Sequence, residues 1–242
     1  MRLQQYLNEG RSVGIDKDTA ISEIKKNCWN NYKFFLKKGE WIFRGIKGKS
    51  DAYLKIDSNV GTPRVSSNAW YNYYTLLMDN LPSWKKYPLR SRSIICSTEE
   101  GSAESYGTLY VVIPYDNTNV GIAPDGDIWY SFKMGILNDF NEFLGSIFRM
   151  YRFKVGKNDY KSLKRALIEI NKSGEANKDK FGIFDKDKDV MKNLDKIMSP
   201  EYNGFKRGIK NMSDNNEIWI QGKSILVNEE IFWGIMEDIG KI

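Results

Sequence analysis

The segment Ser93-Ile-Ile-Cys-Ser-Thr-Glu-Glu-Gly-Ser-Ala-Glu-Ser-Tyr-Gly-Thr-Leu-Tyr-Val-Val-Ile113 holds two apolar runs around a small polar stretch. Ser93–Ser97 and Thr108–Ile113 are rich in β-branched and aromatic residues and read as strands, the second ending at Pro114. Glu99–Tyr106 reads as a turn and a short helix. Working outward, Val120-Gly121-Ile122 reads as a third strand. Upstream, Trp41-Ile42-Phe43-Arg44-Gly45 reads as a buried strand that delivers Arg44 to a cleft. Downstream, Glu217–Ile220 and Ser224–Val227 read as two further strands.

The flanks are helical. Ala20, Ile24, Cys28, Tyr32 and Phe35 recur at helical spacing, so 15–38 is expected to be one amphipathic helix. A helix dense in Trp and Tyr is expected over 67–81, ended by Pro82 and Pro88. From Asp127, a candidate N-cap, the period returns with Leu137, Phe140, Leu144, Ile147 and Tyr151 on one face. A second helix is expected over 160–171, a charged surface loop over 173–188, a shorter helix after it, and a last helix near 229–239. Helix, strands, helical block and strands in that order fit one α+β domain over 1–242 with a mostly antiparallel or mixed sheet, better than a doubly wound fold.

Composition excludes much chemistry. None of the 242 residues is histidine, which removes Ser-His-Asp and Cys-His hydrolases, HExxH metalloenzymes and any imidazole shuttle. Cys28 and Cys96 make neither a CxxC pair nor a Cys₄ zinc site, so no metal is expected. Chemistry must rest on carboxylates, hydroxyls and arginines. Thirty-seven basic against 31 acidic residues give a net charge of +6, which favours a cytosolic or nucleic-acid-rich setting and an anionic partner, or simply a lysine-rich solvated surface. No apolar run approaches the roughly 20 residues that span a bilayer, and the first residues hold no apolar signal core. A soluble, cytoplasmic protein with reduced thiols and no membrane partner is expected.

Three motif fragments fail on inspection. Gly48-Lys49-Ser50 and Gly222-Lys223-Ser224 lack the glycine a phosphate-binding loop needs five residues earlier, where Phe43 and Glu217 stand. Asp185–Asp189 alternates like a calcium loop, but Val190 and Lys196 occupy the glycine and bidentate-glutamate positions. Trp70, Tyr71, Tyr73 and Tyr74 offer base-stacking rings, yet their helical spacing reads first as core.

Arg44-Gly45 at the end of an early strand, Ser97-Thr98-Glu99 at the end of a middle strand with Ala103–Tyr106 after it, and Glu217 opening a late apolar strand form an ordered set. This set resembles the arginine–serine–glutamate class of the mono-ADP-ribosyltransferase superfamily, over roughly Trp41 to Val227, with a helical block enlarged between about Asp127 and Met198. The resemblance implies a split, mostly antiparallel sheet with flanking helices, and transfer of ADP-ribose from NAD to a macromolecular acceptor, protein or nucleic acid, with slow NAD hydrolysis beside it. It implies that Arg44, with Gly45 allowing close approach, grips the cofactor. Glu217 would stabilise an oxocarbenium-like transition state, Ser97 would hydrogen-bond Glu217, and Thr98 would line the nicotinamide pocket. Asn215, two residues before Glu217, stands where family members carry an acceptor-recognising glutamate or glutamine. Glu99 replaces the third residue of a Ser-Thr-Ser motif, and Tyr106, Trp129 and Phe132 are candidates for the nicotinamide-stacking ring. Arg90 and Arg92 are further candidates to reach a phosphate, and Asp127 to border the cleft. A toxin-like or phage effector working in a host cytoplasm fits this reading. The alternative is a non-catalytic nucleic-acid-binding module or a virion or interaction protein on an α+β fold.

Overall fold

In a computed structural model, which describes residues 11–65, 72–132, 148–149, 159–174, 183–185 and 187–240, nine strands form one sheet. They are β1 (Arg11–Gly14), β2 (Phe43–Ile46), β3 (Tyr53–Asp57), β4 (Ile94–Ser97), β5 (Thr108–Pro114), β6 (Asn119–Ile122), β7 (Lys206–Arg207), β8 (Glu217–Gln221) and β9 (Lys223–Asn228), in the order β1-β3-β9-β5-β2-β4-β8-β6-β7. Every described pairing is antiparallel. The helices are α1 (Lys17–Asn27), α2 (Trp29–Lys38), α3 (Tyr73–Asn80), α4 (Glu100–Glu104), α5 (Ile128–Ser131), α6 (Tyr160–Ser173), α7 (Val190–Ile197), α8 (Pro200–Asn203) and α9 (Glu229–Gly240). The chain is therefore α+β, with a large antiparallel sheet and flanking helices.

Both faces of the sheet are covered, and the pleat decides which side chain goes where. On β8, Ile218 and Ile220 join Ile94 and Cys96 of β4 in a core closed by α1, α2 and α9. Trp219 and Ile95 point the other way, into a second core with α3, α6 and α7. Ser97 is the register partner of Glu217, and Ile95 of Trp219. Glu217 and Ser97 therefore lie on the face of Trp219 and Ile95.

The sheet is narrowest in its middle. β2 pairs with β5 over four residues, but with β4 only through Phe43 opposite Ser97. Beyond that pair β2 and β4 diverge, and the gap is bridged by a side chain: Arg44 Nη1 donates to the Ile95 carbonyl at 2.6 Å.

Several elements differ from the sequence reading. The expected helix over 15–38 is two helices, broken at Cys28 (φ −121°, ψ 9°). Cys28 offers α2 no side-chain cap; Asp116, on the β5–β6 turn, accepts instead from Asn30 N (3.2 Å) and Asn31 N (3.0 Å). β1, β3 and β7 were not expected. β3 is short and alternates buried Leu54 and Ile56 with Tyr53, Lys55 and Asp57, and β7 is two charged residues. The charged stretch 173–188, expected as a surface loop, buries Ile183 and Phe184 in the α3–α6–α7 core. Tyr73 and Tyr74 are core residues. Trp70, Tyr71 and the helical face Leu137–Tyr151 lie outside the described residues.

Candidate active site

A cavity of about 440 Å³ opens where β2 and β4 diverge. Of the residues singled out in the sequence, Arg44, Gly45, Ser97, Tyr106, Asn215, Glu217, Arg90 and Asp127 all line it. Positions as far apart as 44 and 217 meet because β2, β4 and β8 are consecutive in the sheet although not in the chain. Arg64, Asp125 and the exposed Tyr130 (75% accessible) also line it. No spacing in the sequence marked those three. Three guanidinium and three carboxylate side chains thus share one cavity wall.

Glu217 is tightly constrained among these groups. Its place on the pleat is an inward one, so its carboxylate is buried and needs donors. Oε1 accepts from Arg90 Nη2 at 3.0 Å and from Trp219 Nε1 at 2.5 Å, and Oε2 accepts from Ile128 N at 3.4 Å. The Arg90 and Glu217 side chains are only 4% and 9% exposed. Arg90 is itself held. Its guanidinium lies 5.5 Å from the Tyr74 ring centre and 5.6 Å from that of Trp219, close enough for cation–π attraction. Its backbone N–H and that of Ser91 donate to Asp79 of α3, at 2.7 and 3.3 Å. Burial pushes the Asp79 carboxyl above its ordinary range, against the lowering effect of those hydrogen bonds.

Several roles implied by the resemblance need correction. Ser97 Oγ does not bond Glu217; it accepts from Glu99 N at 2.9 Å and fixes the turn into α4. Thr98 does not line the cavity. Its Oγ1 donates to Ser213 O (2.9 Å) and accepts from Asn216 N (2.8 Å), clamping the turn that leads into Glu217. Gly45 lines the cavity and is also required by packing, since a Cβ there would lie 2.0 Å from the Ala103 carbonyl of α4. Phe132 is buried in the core, and the Trp129 side chain lies outside the described residues. Arg92 donates to Gly61 O at 2.6 Å, away from the cavity. Arg90 lines the cavity and is engaged there by Glu217.

Asn215, in the left-handed region at φ 56°, lines the rim. Its Oδ1 lies 2.3 Å from where a Cβ on Gly126 would fall, so a larger residue at 126 would displace the Asn215 side chain. The two rim loops are tied by Glu217 N donating to Asp125 O (2.8 Å) and Asn216 Nδ2 to Pro124 O (3.2 Å).

Among the described residues, no group of three or more His, Cys, Asp or Glu is arranged to hold a metal ion, and no helix is long and apolar enough to cross a membrane. Comparison with family models, with curated proteins and with solved structures finds no match for the chain.

Proposed function

We propose that the chain transfers ADP-ribose from NAD to a macromolecular acceptor on a split-sheet ADP-ribosyltransferase-like fold. One observation carries this reading: Arg44, Ser97 and Glu217 converge on one cavity at the divergence of β2 and β4. The volume, about 440 Å³, lies within the range of roughly 300–1,000 Å³ usual for small-molecule sites. The lining chemistry suits a dinucleotide. The guanidinium groups of Arg44 and Arg64 match a diphosphate in planar, multidentate fashion. Tyr106 (51% accessible) and Tyr130 present rings for flat heterocycles. Glu217 matches a ribose hydroxyl.

In the reaction, the bond between ribose C1′ and the nicotinamide nitrogen breaks. Its electron pair leaves with nicotinamide, which becomes neutral, and positive charge grows on the ribose. Glu217, in a water-poor wall, stabilises that charge as it develops and accepts from the ribose 2′-hydroxyl. A nucleophile of the acceptor attacks C1′ and loses its proton; water in its place gives hydrolysis.

The test incubates labelled NAD with a cell lysate and either the wild type or Glu217→Gln, an isosteric change that keeps an acceptor for Arg90. Wild type is expected to label a macromolecule and release nicotinamide, and the variant to lose about 10²–10³ in rate while its circular dichroism stays native. A wild type that neither binds NAD nor releases nicotinamide with any acceptor fraction overturns the proposal.

A further inference from the structure

An ionised carboxylate at an inward pleat position is unstable alone, and what holds Glu217 there is not the neighbouring serine. We propose that Arg90 is the positioning residue of this site: it fixes Oε1 of Glu217, together with the Trp219 indole, so that Oε2 is the atom offered to the ribose of the substrate. The inference rests on the ADP-ribosyl-transfer reading and assigns to Arg90 the orienting role that the resemblance gives to Ser97.

Three observations carry it. The two donors to Oε1 lie at 3.0 and 2.5 Å, whereas among the described residues Oε2 has only the long 3.4 Å contact from Ile128 N. The carboxylate is thus anchored through one oxygen, and the other can exchange its weak donor for a stronger one. Second, Arg90 is itself held in place. It lies between the Tyr74 and Trp219 rings, and its backbone is pinned to Asp79. Third, a buried pair of this kind is a poor source of stability, because desolvating both ions offsets most of their attraction. What it supplies is one defined rotamer, which a transition-state contact requires.

Two measurements test this, the first independent of activity. In ¹⁵N-labelled protein the Trp219 indole N–H resonance reports the bond to Glu217, and Trp219→Phe assigns it. Glu217→Gln should move that resonance in the wild-type background and leave it in place in the Arg90→Met background, where Glu217 has already left the indole. Equal movement in both backgrounds shows that Glu217 stays put without Arg90 and overturns the proposal. In the nicotinamide-release assay, Arg90→Met should lower kcat by about 10²-fold while KM for NAD changes less than about threefold. Arg90→Lys, which keeps the cation and guards against a misfolded methionine variant, should recover part of kcat and of the indole shift. A loss confined to KM makes Arg90 a ligand contact and overturns the proposal. A wild type without nicotinamide release removes the transfer reading alone, since the indole cycle still decides whether Arg90 holds Glu217.

Discussion

Gly45 illustrates how a residue chosen for backbone space acts on the site indirectly. The Ala103 carbonyl lies where its side chain would begin, and that carbonyl belongs to α4, whose Ser102 lines the cavity with the following Ser105 and Tyr106. Gly45→Ala forces β2 and α4 apart, with no flexible side chain to yield. A loss of about 1–3 kcal/mol in urea denaturation is expected from the overpacking, with weaker NAD binding as the α4 wall shifts. Unchanged stability and affinity would contradict this account. Thr98 acts at one remove in the same way, through its two hydrogen bonds to the turn before Glu217. The serine and threonine were legible in the sequence as a pair, but their partners were not, because a hydroxyl bonds whatever the fold brings near it.

At the scale of elements, the N-terminal helices are fastened to the sheet by a polar cluster. Glu23 of α1 accepts from Lys55 Nζ of β3 (2.6 Å), from Asn27 Nδ2 (2.7 Å) and from the Tyr115 hydroxyl after β5. Burial alone would raise the Glu23 carboxyl. The donors outweigh it and hold the group down at about 2, below its ordinary value of 4.5. A carboxyl lowered on folding contributes stability above its unfolded value and loses it as pH falls through its folded value. Wild type should therefore lose stability between about pH 4.5 and about pH 2, and Glu23→Gln should flatten that part of the profile in urea midpoints taken across pH. An identical slope in both proteins would remove the cluster from the acid response. The break at Cys28 has the same tertiary origin, since the cap of α2 comes from Asp116, some 85 residues away. A helical period read along the chain sees no cap there, so 15–38 reads as one helix.

Across the whole molecule, the divergence of β2 and β4 makes the cavity, and Arg44 bridges it. A sheet that parts leaves carbonyls without strand partners, and the 2.6 Å bond to Ile95 O answers one of them. Arg44→Met is expected to cost about 1–3 kcal/mol for the lost partner. It should also reduce NAD affinity, as read by denaturation and by titration calorimetry on the same samples. Loss of affinity with no loss of stability would leave Arg44 as a ligand contact without a bridging role. On the face of β8 that carries Glu217 and Trp219, Trp219 packs in a core with α3, α6 and α7, and of these helices α3 reaches the cavity through Tyr74.

The sequence by itself determined the α+β class, the strands that carry Arg44, Ser97 and Glu217, and the absence of imidazole chemistry, because apolar period and composition are local properties. It also named eight of the nineteen residues that line the cavity. The tertiary structure decided their partners. Strand order brought residues 44, 97 and 217 together, the pleat buried Glu217, and long-range packing set Arg90 against it. Charge pairing depends on three-dimensional proximity, and no spacing along a chain encodes that.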